Sequence, residues 1–143
     1  MDLLKVLQSR YTTKAYDANK TIPAEKFEQL LAMLRLTPSS INIQPWHFII
    51  ADHVAAKQRI AKALVGKYAY NAPKVLDSSH TILFCTKADI DAQHLEQLLA
   101  QDEISGRFKD EQAKQGQKDT RTGYIEYYRN EKGDIQRWAE NQT

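Results

Sequence analysis

The stretch of sequence that most restricts the fold reads Pro38-Ser39-Ser40-Ile41-Asn42-Ile43-Gln44-Pro45-Trp46. Small hydroxyl and amide residues between two prolines predict a rigid loop with many directed hydrogen-bonding groups. The β-prone run from Trp46 to Ile50 predicts that a strand follows the loop. Two interpretations of the loop stay open at this point: a structural turn that leads into the strand, and a loop that lines a ligand site.

Two helices are predicted before this loop. Asp2 can cap a short helix with apolar residues on one side, and we expect that helix to end near Ser9. A second helix should have Pro23 in its first turn and should stop before Pro38, because the residue preceding a proline resists the α conformation. Its apolar residues recur at helical spacing and are Phe27, Leu30, Leu31 and Leu34.

Helices and one more strand are predicted after the first strand. Residues 54–65 should form a helix that Gly66 closes, and residues 71–74 should lie in a loop or at a helix start. Residues 80–86 form a second strand, which is apolar enough to lie at the centre of a sheet. A further helix should extend from residue 90 to residue 104.

The remaining sequence is highly charged and leads to a helix without a stop signal. Gly116 and Gly123 are expected to break the stretch, so we predict one domain over residues 1–143 with residues 91–133 as an exposed helical excursion. Asp134 can cap a final helix. Two strands alone form a marginal sheet, and we therefore expect further strands and helices after Thr143.

The composition is that of a globular protein of ordinary domain size. The chain has 143 residues, and no apolar run approaches the ~20 residues of a membrane helix. Its 20 basic and 18 acidic residues are interleaved, so neither a nucleic-acid surface nor membrane contact is expected. The N-terminus has no signal-peptide pattern and Cys85 is the single cysteine, which together favour the cytoplasm.

Side chains must hold any nucleotide phosphate, because the sequence contains neither G-x-G-x-x-G nor G-x-x-x-x-G-K-[ST]. Arg10, Thr12 and Lys14 are candidates, since a guanidinium, a hydroxyl and an ammonium alternate along one side of a β-prone segment. A solvated edge would explain such a string equally well. The four histidines show no metal-ligand spacing, and Ser39 and Ser40 match no nucleophile motif, so neither a metal site nor hydrolysis is expected.

Three motifs, in order along the chain, resemble the nitroreductase family, specifically its oxygen-insensitive NAD(P)H nitroreductase and dihydropteridine reductase group. They are Arg10-Tyr11-Thr12-Thr13-Lys14, the loop at residues 38–46, and Tyr68-Ala69-Tyr70-Asn71-Ala72-Pro73-Lys74. Further matches at Asp77, His80, Gly106-Arg107-Phe108 and Tyr124 extend the resemblance over essentially the whole chain. The resemblance favours the ligand-lining interpretation of the loop.

The resemblance implies an α+β fold, with helices around a central, mainly antiparallel sheet, and a homodimer that holds FMN at the subunit interface. It implies that NADH or NADPH delivers a hydride to the flavin and that a nitroaromatic, a quinone or a related flat acceptor then takes it in ping-pong order. The flavin carries the chemistry, so no catalytic residue of the protein is implied.

The resemblance also implies roles for single residues. Arg10 and Thr12 would contact the FMN phosphate and ribityl chain, and Lys14 would approach the N1/O2 edge of the ring, where a cation stabilises negative charge. The implied cofactor-binding residues are Arg10, Tyr11, Thr12, Thr13, Lys14, Asn71, Lys74, Arg107 (on the pyridine nucleotide) and, on the partner subunit's flavin, Ser39, Ser40 and Asn42. The implied substrate-binding residues are Tyr68, Tyr70 and Tyr124.

The sequence also departs from the family pattern. Tyr11 replaces an expected histidine, and Thr12 stands where serine is common. Family chains continue with a long core helix, further strands and the rest of the phosphate site, so we expect this chain alone to bind FMN weakly or not at all. The alternative is a truncated, non-catalytic relative that acts as a dimerisation or interaction module, suggested by the final helix and a partly uncovered Trp138.

Overall fold

The computed structural model describes residues 2–142, which form seven α-helices and two β-strands. In chain order these are α1 (Leu3–Ser9), α2 (Ala24–Leu36), β1 (Trp46–Ala51), α3 (Val54–Ala61), α4 (Ala72–Asp77), β2 (Thr81–Thr86), α5 (Ala92–Ile104), α6 (Glu111–Glu126) and α7 (Ile135–Glu140). Short 3₁₀ segments occupy Ser40–Asn42 and Gly66–Asn71, and a π-helical turn, Tyr127–Glu131, follows α6. None of the described helices has the length and apolar character needed to cross a membrane.

Both predicted strands are confirmed, and they pair with each other in an antiparallel sheet. The backbone N–H of Lys87, just after β2, donates to the carbonyl of Pro45, just before β1, at 2.8 Å. Within residues 2–142, β2 has β1 as its single neighbour, so the prediction that β2 lies at the centre of a sheet is not met there. Phe84 of β2 is accordingly exposed.

The described residues form two compact units, with boundaries inside α2 and inside both strands. Unit 1 consists of residues 2–31 and 50–82, and unit 2 consists of residues 32–49 and 83–142. The assignment of residues 1–143 to one domain stays a prediction.

Unit 1 has a small core and a helix that buries nothing. Asp2 caps α1 as predicted, accepting from the Lys5 N–H at 3.2 Å, but all apolar side chains of α1 are exposed. In the core, Phe27 of α2 is buried and stacks on the ring of His80, with 3.7 Å between centroids. α3 packs against α4, and the Lys57 ammonium donates to the Ser78 carbonyl at 2.8 Å.

Two predicted helix boundaries in unit 1 are wrong, the start of α2 by one residue and the end of α3 by four. α2 begins at Ala24, and Pro23 lies before it with a carbonyl that accepts the Phe27 N–H. α3 ends at Ala61 because the N–H groups of Ala63 and Leu64 bond three residues back, which tightens the chain out of the α-helix. Gly66 therefore does not close α3; it has a φ of +57° and begins the 3₁₀ segment.

The core of unit 2 comes largely from its C-terminal helices. One cluster of its buried apolar residues comprises Ile43, Ile90, Ile125, Trp138 and Ala139. The prediction that Trp138 is partly uncovered is wrong: its side chain is 6% exposed and its ring stacks on Tyr128, with 4.6 Å between centroids. This removes one observation behind the interaction-module alternative.

The helices of unit 2 also differ from the prediction. α6 continues through Gly116 and Gly123, because other residues of the helix supply enough contacts to outweigh the glycine cost of about 1 kcal/mol each. α7 spans Ile135–Glu140, and the Asn141 N–H bonds the carbonyls of Arg137 and Ala139. Buried side chains of the range 91–133, which was predicted as an exposed excursion, are His94, Leu95, Leu99, Asp102, Arg121 and Ile125.

Candidate functional site

The segment Arg10–Lys14 leaves α1 as exposed, irregular chain, not as a strand. The Arg10 N–H bonds the Leu7 carbonyl at the end of α1, and the backbone of Arg10 is extended. Among residues 2–142, the side chains of Arg10, Thr12 and Lys14 have no hydrogen-bond or ion-pair partner. Two positive charges and one hydroxyl of unit 1 are therefore free to bind a ligand.

A cleft of about 580 Å³ in unit 1 borders this segment at Thr13 and Tyr16. In its lining, the Ser79 hydroxyl accepts from the Ile22 N–H at 2.8 Å and lies 2.8 Å from Nδ1 of His80. His80 in turn stacks on Phe27. Ser79 and His80 are therefore engaged in contacts within the fold of unit 1.

The start of α4 brings two predicted cofactor-binding residues together. Asn71 occupies the N-cap position of the helix, and Lys74 lies one turn later on the same face. The Lys74 ammonium donates to Oδ1 of Asn71 at 2.8 Å and lies 4.8 Å from the centroid of the Tyr70 ring. Tyr68 and Tyr70, on the preceding 3₁₀ segment, are both exposed.

The 38–45 loop of unit 2 has an unusual backbone. Ile41, Asn42 and Gln44 have left-handed conformations, with φ angles of 49°, 54° and 44°. Asparagine tolerates this region, but it is a genuine outlier for a β-branched residue such as Ile41. The Ser39 hydroxyl accepts from the Gln44 N–H at 3.0 Å, and the Gln44 amide donates to Oδ1 of Asn42 at 2.8 Å.

Side chains distant in sequence hold the same loop from outside. Gln142 accepts from the Ser40 N–H at 2.7 Å. Nε2 of His94 donates to the Ile43 carbonyl at 2.7 Å, which requires the tautomer that carries a proton on Nε2. Burial of His94 lowers the pKa of its imidazole; the carbonyl bond and Asp91 oppose this shift, and the charges of Lys87 and Arg121 add to it.

A buried ion pair lies beneath the loop. Nη2 of Arg121 donates to Oδ2 of Asp102 at 2.6 Å, and the two side chains are 1% and 9% exposed. Nε of Arg121 donates to the Ile41 carbonyl at 3.1 Å, and the Asn42 amide donates to Oδ1 of Asp102 at 3.4 Å. Nε of the exposed Arg107 lies 3.5 Å from the same oxygen.

Two surface cavities of unit 2 are lined in part by predicted site residues. One, of about 340 Å³, is lined by Asn42, Asp102, Arg107, Phe108, Ala113, Gln117 and Arg121. The other, of about 450 Å³, is lined by Asp119, Thr120, Gly123, Tyr124 and Tyr127. Among residues 2–142, no group of His, Cys, Asp and Glu is arranged to hold a metal ion.

The structure thus brings some predicted site residues together within each unit. In unit 1, Asn71 contacts Lys74, and in unit 2, Asn42 and Arg107 share Asp102. Unit 1 contains Arg10, Tyr11, Thr12, Thr13, Lys14, Tyr68, Tyr70, Asn71 and Lys74, whereas unit 2 contains Ser39, Ser40, Asn42, Arg107 and Tyr124. The roles of all these residues stay predictions.

The sequence analysis missed the side chains that hold the loop. Asp102 lies three residues after the buried Leu99, and Arg121 lies four residues before the buried Ile125, so each charge falls on the apolar face of its helix. A charged residue at a core-facing position was the sequence feature that could have revealed the pair. Nothing comparable marks Gln142.

Comparison with known proteins gives a consistent family match. Residues 7–129 match the family model described as the nitroreductase family. Over 143 residues, the chain is 39% identical to the oxygen-insensitive NAD(P)H nitroreductase of Enterobacter cloacae; the alignment covers 100% of this chain and 66% of that protein. Over 137 residues it is 33% identical to the major NAD(P)H-flavin oxidoreductase of Aliivibrio fischeri, covering 96% of this chain and 62% of that one.

A solved structure shares the fold. It is a protein of Exiguobacterium sibiricum 255-15, described as a nitroreductase in complex with FMN. The TM-score is 0.68 at 24% identity, and the superposition covers 99% of this chain and 67% of that chain. The present chain therefore spans about two thirds of the length of the proteins it matches.

Proposed function

Because this chain belongs to the nitroreductase family, we propose that it acts as an FMN-dependent NAD(P)H oxidoreductase on nitroaromatics, quinones or related flat acceptors. The α+β fold with its antiparallel strand pair agrees with this family. The names of the two relatives, a nitroreductase and a flavin oxidoreductase, support the activity, and the FMN in the solved structure supports the cofactor.

The observation that carries the proposal is the free donor set of the Arg10–Lys14 segment. A flavin mononucleotide ends in a phosphate dianion, which binds best to charged donors that have no other partner. The guanidinium of Arg10, the hydroxyl of Thr12 and the ammonium of Lys14 are exposed and unengaged among residues 2–142. The chemistry of these donors therefore fits the phosphate end of FMN.

FMN, when bound, would supply the redox chemistry, a ping-pong transfer of hydride from NADH or NADPH to the acceptor. Lys14 would place a positive charge beside the ring and stabilise negative charge there. Asn71 would offer its amide to the pyrimidine part of the ring. Lys74 fixes the orientation of that amide through their 2.8 Å hydrogen bond.

Aromatic side chains would bind the flat reactants and exclude water. Tyr68, Tyr70 and Tyr124 are exposed and able to stack on a planar ligand. Arg107 offers a partly free guanidinium for the pyridine nucleotide, since its side chain is exposed and its Nε lies 3.5 Å from Oδ1 of Asp102. None of these residues needs to exchange a proton with the substrate.

We also propose that two copies of the chain form a homodimer in which Ser39, Ser40 and Asn42 of one copy face the FMN of the other. The single cysteine is consistent with the predicted cytoplasmic location. Small molecules are the expected partners, with no role for nucleic acid or membrane.

A visible absorbance spectrum of the purified chain tests the proposal. With FMN titrated into the protein and kept in solution, we expect a change in the flavin band on binding, bleaching of the band when NADH or NADPH is added, and its return when a quinone is added. Binding should be weak and should rise with FMN concentration to saturation. A flavin band that stays unchanged and flavin fluorescence that is not quenched at any FMN concentration would contradict the proposal.

A further inference from the structure

We infer that Arg121 and Asp102 are positioning residues, which hold Ile41 and Asn42 in the conformation that presents the 39–44 loop to FMN. The identity of the ligand rests on the function proposed above. The conformational part of the inference rests on the structure alone.

The loop needs an external restraint because its backbone is strained. Ile41, Asn42 and Gln44 have left-handed backbone conformations, and none of the three is a glycine, the residue that adopts this conformation without strain. A β-branched residue is strained in this region, and such strain persists only where the surroundings over-determine the conformation. Hydrogen bonds inside the loop, such as that from the Gln44 N–H to Ser39, are local and would form in several loop shapes.

The Arg121–Asp102 pair contacts both residues at the most strained point. Nε of Arg121 bonds the carbonyl of Ile41, and its Nη2 bonds Asp102. Asp102 in turn accepts from the side chain of Asn42. One rigid guanidinium therefore connects the backbone of one loop residue to the side chain of the next.

Burial of the pair indicates a role in positioning, not merely in stability. A buried ion pair is often replaceable by apolar residues without loss of stability, because desolvation offsets its attraction. The same two helices are also joined by the exposed pairs Lys114–Glu103, at 2.7 Å, and Lys118–Glu96, at 2.6 Å. What distinguishes Arg121–Asp102 is its bonds to the loop.

Amide hydrogen exchange of single residues, followed by NMR, tests the restraint without any cofactor. Arg121→Lys keeps the charge facing Asp102 but replaces the planar fork by a single nitrogen, which does not match the separate positions of Nε and Nη2 at Ile41 and Asp102. Asp102→Asn keeps the shape and removes the charge. Lys118→Gln is the matched control, because it breaks an ion pair between α5 and α6 that does not touch the loop.

We expect the amides of Asn42, Ile43 and Gln44, all hydrogen-bonded in the wild type, to exchange about tenfold faster in Arg121→Lys and in Asp102→Asn. The exchange rates of amides inside α5 should change by much less, and Lys118→Gln should leave the exchange rates of the loop amides unchanged. Loop exchange equal to wild type, or an equal loss of protection throughout unit 2, would overturn the inference. If one of the two variants does not fold, the exchange rates of the other variant test the inference.

Titration with FMN tests the link to the ligand. We expect Arg121→Lys to weaken FMN binding by about as much as Asn42→Ala, and the double variant to be no weaker than either single one, since both remove the same contact. Fully additive losses would overturn the positioning of Asn42. If the wild type binds no FMN at all, the proposed function fails, while the exchange measurement still decides whether the pair holds the loop.

Discussion

The two segments predicted to contact the cofactor differ in how many of their polar groups are already hydrogen-bonded within the protein. The side chains of Arg10, Thr12 and Lys14 in unit 1 are exposed and have no partner among residues 2–142. The 39–44 loop of unit 2 has its amides, carbonyls and side chains bonded to residues of α5, α6 and the chain after α7. One segment is free, and the other is held.

This difference suggests two contributions to binding. Free charged donors gain new hydrogen bonds when an anion arrives, so their effect is on affinity and not on the stability of the empty protein. A loop that is already held loses little conformational entropy on binding, so its effect is on the orientation of the ligand and on stability. Substitutions should therefore separate the two segments.

The largest effect is expected from Asp102→Ala, which removes the contacts of Asp102 with Arg121 and with Asn42 of the 39–44 loop. The change leaves the charge of Arg121 buried without its partner, and we expect a loss of about 3–5 kcal/mol in the free energy of unfolding. Urea denaturation followed by tryptophan fluorescence measures it. Glu96→Ala, which removes an exposed ion pair of α5, should cost under about 1 kcal/mol; equal losses for the two variants would contradict the prediction.

The next largest effect concerns the free segment. Arg10→Ala and Lys14→Ala should each weaken FMN binding by about 10- to 100-fold, the value of one charge-assisted hydrogen bond. The free energy of unfolding should change by less than about 0.5 kcal/mol, because neither side chain has a partner to lose among residues 2–142. Fluorescence titration with FMN measures the affinity.

Lys5→Ala is the matched control for this pair of variants. It removes one exposed positive charge from α1, a few residues before the segment. Its FMN affinity should stay near that of the wild type. If Lys5→Ala weakens binding as much as Arg10→Ala does, net charge and not a specific contact accounts for the effect.

A smaller effect is expected from a substitution that stabilises unit 2 and lies outside both the Arg10–Lys14 segment and the 39–44 loop. Gly116 lies inside α6, and a Cβ atom built there meets no atom within 4 Å. Gly116→Ala should raise the free energy of unfolding by about 1 kcal/mol and leave FMN affinity unchanged. Gly106→Ala, at a φ of +69°, should lower stability by about the same amount, so opposite signs in thermal denaturation are the expected result.

The smallest change is expected from pH, through the His94 bond to the held loop. Burial lowers the pKa of His94 in the folded chain below its ordinary value of 6.5, so the unfolded chain takes up the proton first as pH falls. The stability that neutral His94 contributes is complete above 6.5 and declines as pH falls from 6.5 towards the lowered pKa. His94→Gln should flatten this decline in chemical denaturation at several pH values; an unchanged slope would contradict the prediction.

Much of the local structure was predictable, because it depends on residues close in sequence. The Asp2, Asp91, Asp110 and Asp134 side chains each accept from a backbone N–H three residues later, which is the ordinary geometry of a helix N-cap. Both strands followed from short β-prone runs. Errors appeared where distant contacts decide the outcome, as at Trp138, which the Tyr128 ring covers.

The sequence by itself indicated the family, both strands, most of the helices and the set of candidate cofactor-binding residues, since these depend on motifs and on local backbone preferences. Only the tertiary structure decided which of these residues are free and which are held. Asp102 and Arg121 are 19 positions apart in sequence, and Arg121 is 80 positions from Ile41. A charge on an apolar helix face has no partner until the helices pack, and the fold alone brings that partner within hydrogen-bonding distance.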